Sequence, residues 1–135
     1  MAGNELIQVQ HLTKRFGKLT VLNDISTTFR YGEVVSIIGP SGGGKSTFLR
    51  CLNLLEVPSE GSILFDGVDV CDKKTDINVH RQKMGMVFQQ FNLFENMNVM
   101  RNLTIAPIKI RRTPRDQAEA RALELLKRVG LQEKA

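Results

Sequence analysis

The chain has 135 residues, 41% of them hydrophobic and 24% charged, so it is about one domain's worth of globular protein and neither a disordered tail nor a fibre. Its 19 lysines and arginines against 14 aspartates and glutamates give a net charge of +5, which suits nucleotide phosphates, nucleic acid or anionic lipid equally. It has no apolar run long enough to span a bilayer, and residues 1–5 lack a signal-peptide pattern, so we expect a cytosolic protein.

The first part of the chain predicts a hairpin and then a third strand. Alternating apolar residues indicate strands at 7–12 and 21–29, with a turn at 16–18 between them. Residues 34–38 form a continuous, mostly β-branched run, which is typical of a strand buried on both faces. We therefore expect a central strand of an α/β sheet there.

A helix is predicted directly after the glycine-rich residues 39–44. Apolar residues recur at helical spacing over residues 45–55, and Pro58 lies just beyond the point where the pattern stops. Beyond the helix we expect a second hairpin, with one strand at 61–65 and a short return strand at 68–71.

The second half of the chain predicts one more strand and one helix. Residues 84–88 are predicted as a second buried strand, which residues 89–94 leave as a loop. The helix is predicted to start at Pro114 with Thr113 as its N-cap, and to end at Gly130. Its apolar face is predicted to comprise Ala118, Ala122, Leu125, Leu126 and Val129.

Residues 39–47 carry the motif that points to a function. They match G-x-x-x-x-G-K-[ST] between the predicted buried strand and the predicted helix, as a phosphate-binding loop requires. Glycines permit backbone angles closed to other residues, so the N–H groups of residues 42–46 can converge on phosphate oxygens. The helix N-terminus favours the same anion. The residues of the loop are Gly39, Pro40, Ser41, Gly42, Gly43, Gly44, Lys45, Ser46 and Thr47.

The last three residues of the loop have separate predicted roles. Lys45 supplies a positive charge that can bridge the β- and γ-phosphates, the Ser46 hydroxyl can complete the coordination of Mg²⁺, and Thr47 can reach the α-phosphate. The alternative is a glycine-rich turn without a ligand. Three consecutive glycines disfavour that alternative because each has an entropic cost that a merely structural turn would avoid.

Several motifs together resemble the ATP-binding subunit of an ABC transporter. They are the phosphate loop with Phe16-Gly17, residues 51–56, Asp66-Gly67 and residues 85–94. Residues 51–56 and 85–108 most resemble the importers of polar amino acids, of the glutamine, histidine and arginine kind. The resemblance implies an α/β fold, the P-loop NTPase core of an ABC ATPase with an N-terminal antiparallel β subdomain. Residues 1–135 would be the N-terminal part of one such domain.

The resemblance also implies roles for individual residues. Residues 39–47 match the Walker A loop, with Lys45 as a catalytic residue and Ser46 as a metal ligand. Phe16 matches the A-loop aromatic that stacks on adenine, although an ordinary core phenylalanine is an alternative. Gln89 matches the Q-loop glutamine, which implies catalysis, a contact with Mg²⁺ and a link to the membrane subunit. Gln90 is the alternative for that position.

The sequence departs from the family pattern in two positions and in extent. Gly43 stands where the family most often has serine, which loosens the loop. Arg101 stands where the pattern Thr-Val-x-Glu-Asn has glutamate, which puts a contact in the following helix in doubt. The Leu-Ser-Gly-Gly-Gln signature, the Walker B aspartate with its catalytic glutamate, and the switch histidine do not occur in residues 1–135. We therefore expect the N-terminal portion of a longer ATPase, truncated before the signature motif.

The resemblance finally implies a function and partners. The whole protein would hydrolyse ATP, with Mg²⁺, to drive import of polar amino acids, as a homodimer of ATP-binding subunits at the cytoplasmic face of the membrane. Its partners would be integral membrane permease subunits and, indirectly, a periplasmic or extracellular substrate-binding protein, but no nucleic acid. Two alternatives stay open: an ABC ATPase of lipoprotein or peptide export, and a nucleotide-binding module without hydrolysis. Residues 1–135 alone are expected to bind nucleotide weakly and to be inactive.

Two other groups of residues predict little chemistry. Cys51 and Cys71 have no CxxC spacing, so we expect reduced, partly buried thiols. The basic residues Lys109, Arg111, Arg112 and Arg115 are expected to form a solvated face.

Overall fold

The computed structural model describes residues 4–90 and 92–134, in two compact units, Met1–Met86 and Val87–Ala135. Phe91, which belongs to the predicted loop at 89–94, lies outside the described residues, as do residues 1–3 of the N-terminal pattern. Each unit has its own secondary structure.

The first unit is built on an antiparallel sheet in the order β2-β1-β3-β4. Its strands are β1 (Glu5–Phe16), β2 (Leu19–Arg30), β3 (Glu60–Phe65) and β4 (Val68–Asp69). The first hairpin turns at Gly17, whose φ of 57° lies in the left-handed region that glycine adopts at no steric cost. The predicted hairpins and the antiparallel β subdomain are confirmed, with longer strands in the first hairpin than predicted.

The pairing of β1 with β3 contains an irregularity at Gly61. The register shifts between Gln10 and Thr13, and Gly61 has a φ of +89°. A Cβ atom at this position would lie 2.4 Å from the carbonyl oxygen of His11 and 2.5 Å from that of Gln10. Only glycine therefore lets the two strands approach so closely here.

The core of the first unit lies between the sheet and helix α1 (Lys45–Leu52). The strands and their hairpins contribute buried side chains, and α1 contributes Phe48 and Cys51. The helix starts where the sequence predicts but ends earlier, because Asn53 leaves the helical conformation and Leu54 is left-handed with φ 53°. The buried residues of this core are Val9, Leu12, Leu22, Phe48, Cys51, Ile63, Phe65 and Val70.

A short helix, α2 (Ile77–Arg81), follows the second hairpin. Its N-cap is Asp76, whose carboxylate accepts a hydrogen bond of 3.0 Å from the backbone N–H of Asn78. The sequence analysis did not predict this helix.

Two predicted buried strands are wrong. Residues 34–38 and 84–88 adopt no strand, and Val34, Ile38 and Val87 are 96%, 93% and 99% exposed. A strand forms only where a neighbour pairs with its N–H and C=O groups, and in the described part of the chain the sheet places no strand beside either segment. The apolar pattern predicted burial, but it could not supply the partner strand.

The second unit consists of helices α3 (Val99–Lys109) and α4 (Arg115–Arg128), which pack on each other, and a 3-10 turn, Gln132–Lys134. The sequence did not predict the extent of α3, which begins after Asn98 and contains Pro107. None of the helices in the described ranges is long and apolar enough to cross a membrane.

Helix α4 confirms most of its prediction but not the cap. Its N-cap is Pro114, with no side-chain hydrogen bond, so the predicted capping by Thr113 is wrong. The fixed φ of proline already suits a helix start, which makes a side-chain cap less necessary. Ala118, Ala122 and Leu126 are buried, whereas Leu125 and Val129 are largely exposed. Gly130, with φ 72°, ends the helix as predicted.

Candidate phosphate-binding site

The glycine-rich loop joins residues 34–38 to the N-terminus of α1. The helix begins at Lys45, and its N-cap is Gly44 in the left-handed conformation. Residues 39–43 are exposed, whereas Gly44 is buried. The loop therefore presents its backbone to solvent and is anchored to the sheet at its last glycine.

Two glycines of the loop meet a geometric requirement that other residues would not. Gly42 and Gly44 have φ values of +78° and +83°, which cost an L-residue with a side chain roughly 1–2 kcal/mol. At Gly44 a Cβ atom would also lie 2.9 Å from the Cδ2 of Leu22 and 3.0 Å from the carbonyl oxygen of Val21. Close packing on β2 thus fixes where the loop ends and where α1 begins.

The backbone amides at the start of α1 are available to an anion. The first N–H groups of a helix have no partner within the helix, and none of the described side chains caps α1. One amide differs from the prediction: the N–H of Gly43 donates to the carbonyl oxygen of Pro40 at 3.1 Å. The amides of residues 42–46 are therefore not all directed outward.

The ammonium group of Lys45 lies against the loop that precedes it. Its Nζ donates to the carbonyl oxygens of Gly39, at 2.8 Å, and of Pro40, at 2.7 Å. These carbonyl acceptors are neutral, whereas a phosphate oxygen would add the attraction of a full opposite charge. A phosphate in the loop would therefore compete well for this lysine, which is already held close to the site.

The residues after Lys45 offer hydroxyl ligands. Ser46 is exposed on the first turn of α1, and Thr47 is half-buried. Within the described ranges, no group of three or more His, Cys, Asp or Glu side chains could hold a metal ion. Magnesium usually keeps several waters and takes phosphate oxygens as ligands, so a single hydroxyl beside a phosphate loop fits this metal.

An open cleft of about 300 Å³ lies beside the loop within the first unit. It is lined by Gly43, Gly44 and Lys45, by Val35, Ile37 and Ile38, and by apolar residues of β2 and α1. The apolar run at 34–38 thus borders the phosphate loop without filling the space between the loop and the sheet.

Phe16 lies at the tip of the first hairpin and is 45% exposed, so it is not a core residue. The ammonium group of Lys14 lies 4.6 Å from the centroid of its ring. Phe16 pairs with Leu19 on β2. Leu22 follows three residues later on the same strand and packs against Gly44. At a rise of about 3.3 Å per residue, Leu19 lies on the order of 10 Å along β2 from Leu22.

Gln89 and Gln90 are exposed in a bend at the start of the second unit. The phosphate loop, by contrast, belongs to the first unit. The contact of Gln89 with Mg²⁺ and the γ-phosphate therefore stays a prediction.

The sequence analysis missed Asn102, which organises the loop ahead of α3. Its Oδ1 accepts from the N–H of Phe94 at 2.9 Å, and its Nδ2 donates to the carbonyl oxygens of Phe94, Met97 and Asn98 at 3.0–3.1 Å. Asn102 falls on the asparagine of the pattern Thr-Val-x-Glu-Asn, so that pattern was the signal that could have identified it. Asn102 fixes the segment that follows Gln89.

Arg101 and part of the basic cluster line a cavity of about 440 Å³ between α3 and α4. Lys109 and Arg115 share this cavity, and Arg115 Nε contacts Glu119 Oε1 at 2.7 Å. All four residues of the predicted solvated face are exposed, which agrees with the prediction; they are Lys109, Arg111, Arg112 and Arg115.

Known proteins are similar to this chain over most of its length. A family model described as ABC transporter matches residues 22–135. The glutamine transport ATP-binding protein GlnQ of Geobacillus stearothermophilus is 48% identical over 130 residues, 96% of this chain and 54% of the relative. The arginine transport ATP-binding protein ArtM of Bacillus subtilis is 48% identical over 129 residues, with 96% and 54% coverage. The chain thus spans about half the length of the curated relatives it matches.

The fold has a solved counterpart. A dimeric ATP-binding cassette in a post-hydrolysis state, bound to ADP and Pi, aligns with a TM-score of 0.78 at 32% identity. The alignment covers 90% of this chain and 56% of that structure. This likeness confirms the predicted fold class.

Proposed function

Because the chain belongs to the ABC transporter family, we propose that residues 1–135 are the N-terminal part of an ATP-binding subunit that drives import of polar amino acids. The observation that carries the proposal is the loop at 39–47, with Gly44 packed against β2 and the Lys45 ammonium held over the loop carbonyls. The names of the relatives, which refer to glutamine and arginine transport, favour amino acid import over lipoprotein or peptide export.

The proposed phosphate binding follows from the groups already in place. The β- and γ-phosphates would lie at the N-terminus of α1, where unpaired N–H groups and the helix dipole stabilise negative charge. Lys45 would exchange the carbonyl oxygens of Gly39 and Pro40 for phosphate oxygens. That exchange costs little reorganisation, because the ammonium group already lies within hydrogen-bond distance of the loop.

Magnesium would supply charge neutralisation at the phosphates during phosphoryl transfer. We assign its protein ligands to the hydroxyl of Ser46 and the side-chain oxygen of Gln89. Gln89 would also couple the γ-phosphate to the permease, because it is the third residue of the second unit, close to the point where the chain leaves the first.

The adenine would stack on Phe16. An exposed aromatic ring at the hairpin tip, on the strand pair that also seats Gly44, supports this assignment. The ammonium group of Lys14 lies over one face of the ring, and the base would stack on the other face.

Hydrolysis would belong to the full-length protein. Residues 1–135 supply the phosphate cradle, whereas attack by water also needs a group that positions the nucleophile. We assign that group to residues beyond this range, since the relatives extend further. The subunit would act as a homodimer at the cytoplasmic face of the membrane, docked on integral permease subunits that receive amino acids from a substrate-binding protein. The dimeric solved cassette supports this assembly.

An uptake assay tests the proposal. A bacterial strain that lacks the full-length subunit should lose ATP-dependent uptake of a radiolabelled polar amino acid such as glutamine or arginine. The wild-type gene should restore uptake, and a gene with Lys45→Ala should not. Uptake that is equal with and without the subunit, although the purified protein hydrolyses ATP, would assign the subunit to a different transporter.

A further inference from the structure

The side chain of Arg81 binds two backbone carbonyl groups just beyond the C-terminal end of α1. Arg81, the last residue of α2, donates from Nε to the carbonyl oxygen of Asn53 at 3.0 Å and from Nη2 to that of Leu54 at 2.9 Å. These carbonyl groups belong to the C-cap residue of α1 and to the residue after it, and the planar guanidinium group presents two donors in a fixed geometry. Both bonds are partly buried. Arg81 therefore binds the backbone directly after the C-terminal end of α1, which is the end opposite to the phosphate loop.

Leu54, two residues after the end of α1, has an unfavourable backbone conformation. Its φ of 53° is in the left-handed region, which a leucine rarely adopts. The carbonyl oxygen of the same residue is an acceptor of Arg81. The arginine thus stabilises a backbone conformation that the sequence alone disfavours.

A second contact connects the same corner to the segment that precedes Gln89. The Nδ2 of Asn53 donates to the Sδ of Met86 at 3.3 Å, in a partly buried position. Met86 is five residues after Arg81 and three before Gln89 in the chain. Arg81 and Asn53 therefore join the end of α1 to both ends of residues 81–86.

We propose that Arg81 is a positioning residue that ties the phosphate-loop helix to the segment leading to Gln89, so that ATP at one end of α1 is sensed through the other. The proposal rests on the proposed function of Lys45 and Gln89. The positive charge of Arg81 at the C-terminus of α1 also complements the helix dipole whose other end receives the phosphates. Phe48 and Cys51 are buried in the core of the first unit, so we expect α1 to stay packed on the sheet when the Arg81 hydrogen bonds are removed.

This placement separates binding from turnover. Because α1 stays packed through Phe48 and Cys51, loss of Arg81 should change the Kd for MgATP by less than about threefold. Because the segment before Gln89 loses its attachment, kcat should fall by about tenfold or more, as misplaced catalytic groups do.

The experiment uses the full-length protein and compares Arg81→Ala, Arg81→Lys and the control Lys83→Ala. Lys83 is an exposed cation two residues away, paired with Asp66 at 3.6 Å, so its loss removes the same charge from the same region. Kd for a fluorescent ATP analogue and kcat for ATP hydrolysis are measured well below the melting temperature. We expect a lowered kcat for Arg81→Ala, partial rescue by Arg81→Lys, which can reach one carbonyl, and no effect of Lys83→Ala.

Asn53→Ala provides a second route if Arg81→Ala does not fold. It removes the contact with Met86 and the acceptor of the Leu55 N–H but keeps both carbonyl acceptors of Arg81. It should lower kcat in the same way, with a double variant no worse than the more impaired single one. A kcat unchanged in Arg81→Ala or Asn53→Ala, with only a lowered melting temperature, would overturn the proposal and leave a structural cap. Absence of Lys45-dependent hydrolysis in the wild-type protein would instead refute the proposed function.

Discussion

Gly44→Ala tests whether the phosphate loop is anchored by close packing on β2. The new methyl group would lie 2.9 Å from Leu22 Cδ2, 3.0 Å from the Val21 carbonyl oxygen and 3.2 Å from Val21 Cγ1. Two of these atoms belong to side chains that can move, but the carbonyl oxygen belongs to a paired strand. The residue would also have to keep a φ of +83° or abandon the N-cap of α1.

The two effects can be separated by magnitude. The left-handed conformation costs an alanine roughly 1–2 kcal/mol, and an extra methyl group in a packed site typically costs about 1–3 kcal/mol. Gly44→Ala should therefore lower the free energy of unfolding by roughly 2–5 kcal/mol. Gly42 has a φ of +78°, but no atom lies within 4 Å of the methyl group that Gly42→Ala would add. Gly42→Ala should therefore lower the free energy of unfolding by only about 1–2 kcal/mol.

The assay is urea denaturation of the full-length protein followed by circular dichroism, with Gly42→Ala as the matched control and Gly39→Ala as a second one. At Gly39 the φ is not left-handed and the space around the new methyl group is open, so its effect should stay within about 1 kcal/mol. Equal free energies of unfolding for Gly44→Ala and Gly42→Ala would refute the claim that packing on β2 anchors the loop.

Three further outcomes are expected. Gly61→Ala should destabilise the first unit more than Gly44→Ala in the same urea experiment, because its methyl group would meet two backbone carbonyl oxygens at 2.4 and 2.5 Å; a loss below about 1 kcal/mol would contradict the described register. Burial raises the pKa of the Cys51 thiol to about 11. At pH 8, iodoacetamide should therefore label Cys51 about 100-fold more slowly in the native protein than in urea. Equal labelling rates would contradict the burial of Cys51. Asn98→Ala removes the N-cap hydrogen bond from the N–H of Arg101 and should lower the free energy of unfolding by about 1 kcal/mol. Thr113→Ala should leave the free energy of unfolding unchanged in the same denaturation assay, and the reverse order of effects would contradict the assigned caps.

Local patterns predicted the parts of the fold that depend on near neighbours. Alternating apolar residues located both hairpins, and the glycine-rich motif located the start of α1 at Lys45. The end of α1 at Leu52 was not predicted, and Arg81, which binds the two carbonyl groups just beyond it, is 29 residues from Leu52 in the chain. An arginine that binds backbone carbonyls has the same sequence signal as an arginine in solvent.

The apolar runs at 34–38 and 84–88 show the limit of periodicity. Their composition indicates side chains that favour burial, but strand formation also needs a paired backbone beside them. The loop motif is different, since nine consecutive residues define both its backbone conformation and its ligand chemistry. For the same reason Lys45 was predictable, whereas the roles of Phe16 and Gln89 came only from the family resemblance.

The most direct test of the central claim is calorimetric titration of MgATP into the full-length protein. Lys45 contributes charged hydrogen bonds worth about 1.5–3 kcal/mol, so Lys45→Ala should weaken binding by about 10- to 100-fold. Lys73→Ala, which removes the same charge from an exposed position, should bind like the wild type. Undetectable binding by the wild type, or equal Kd values for the wild type and Lys45→Ala, would contradict the assignment of residues 39–47 as the phosphate site.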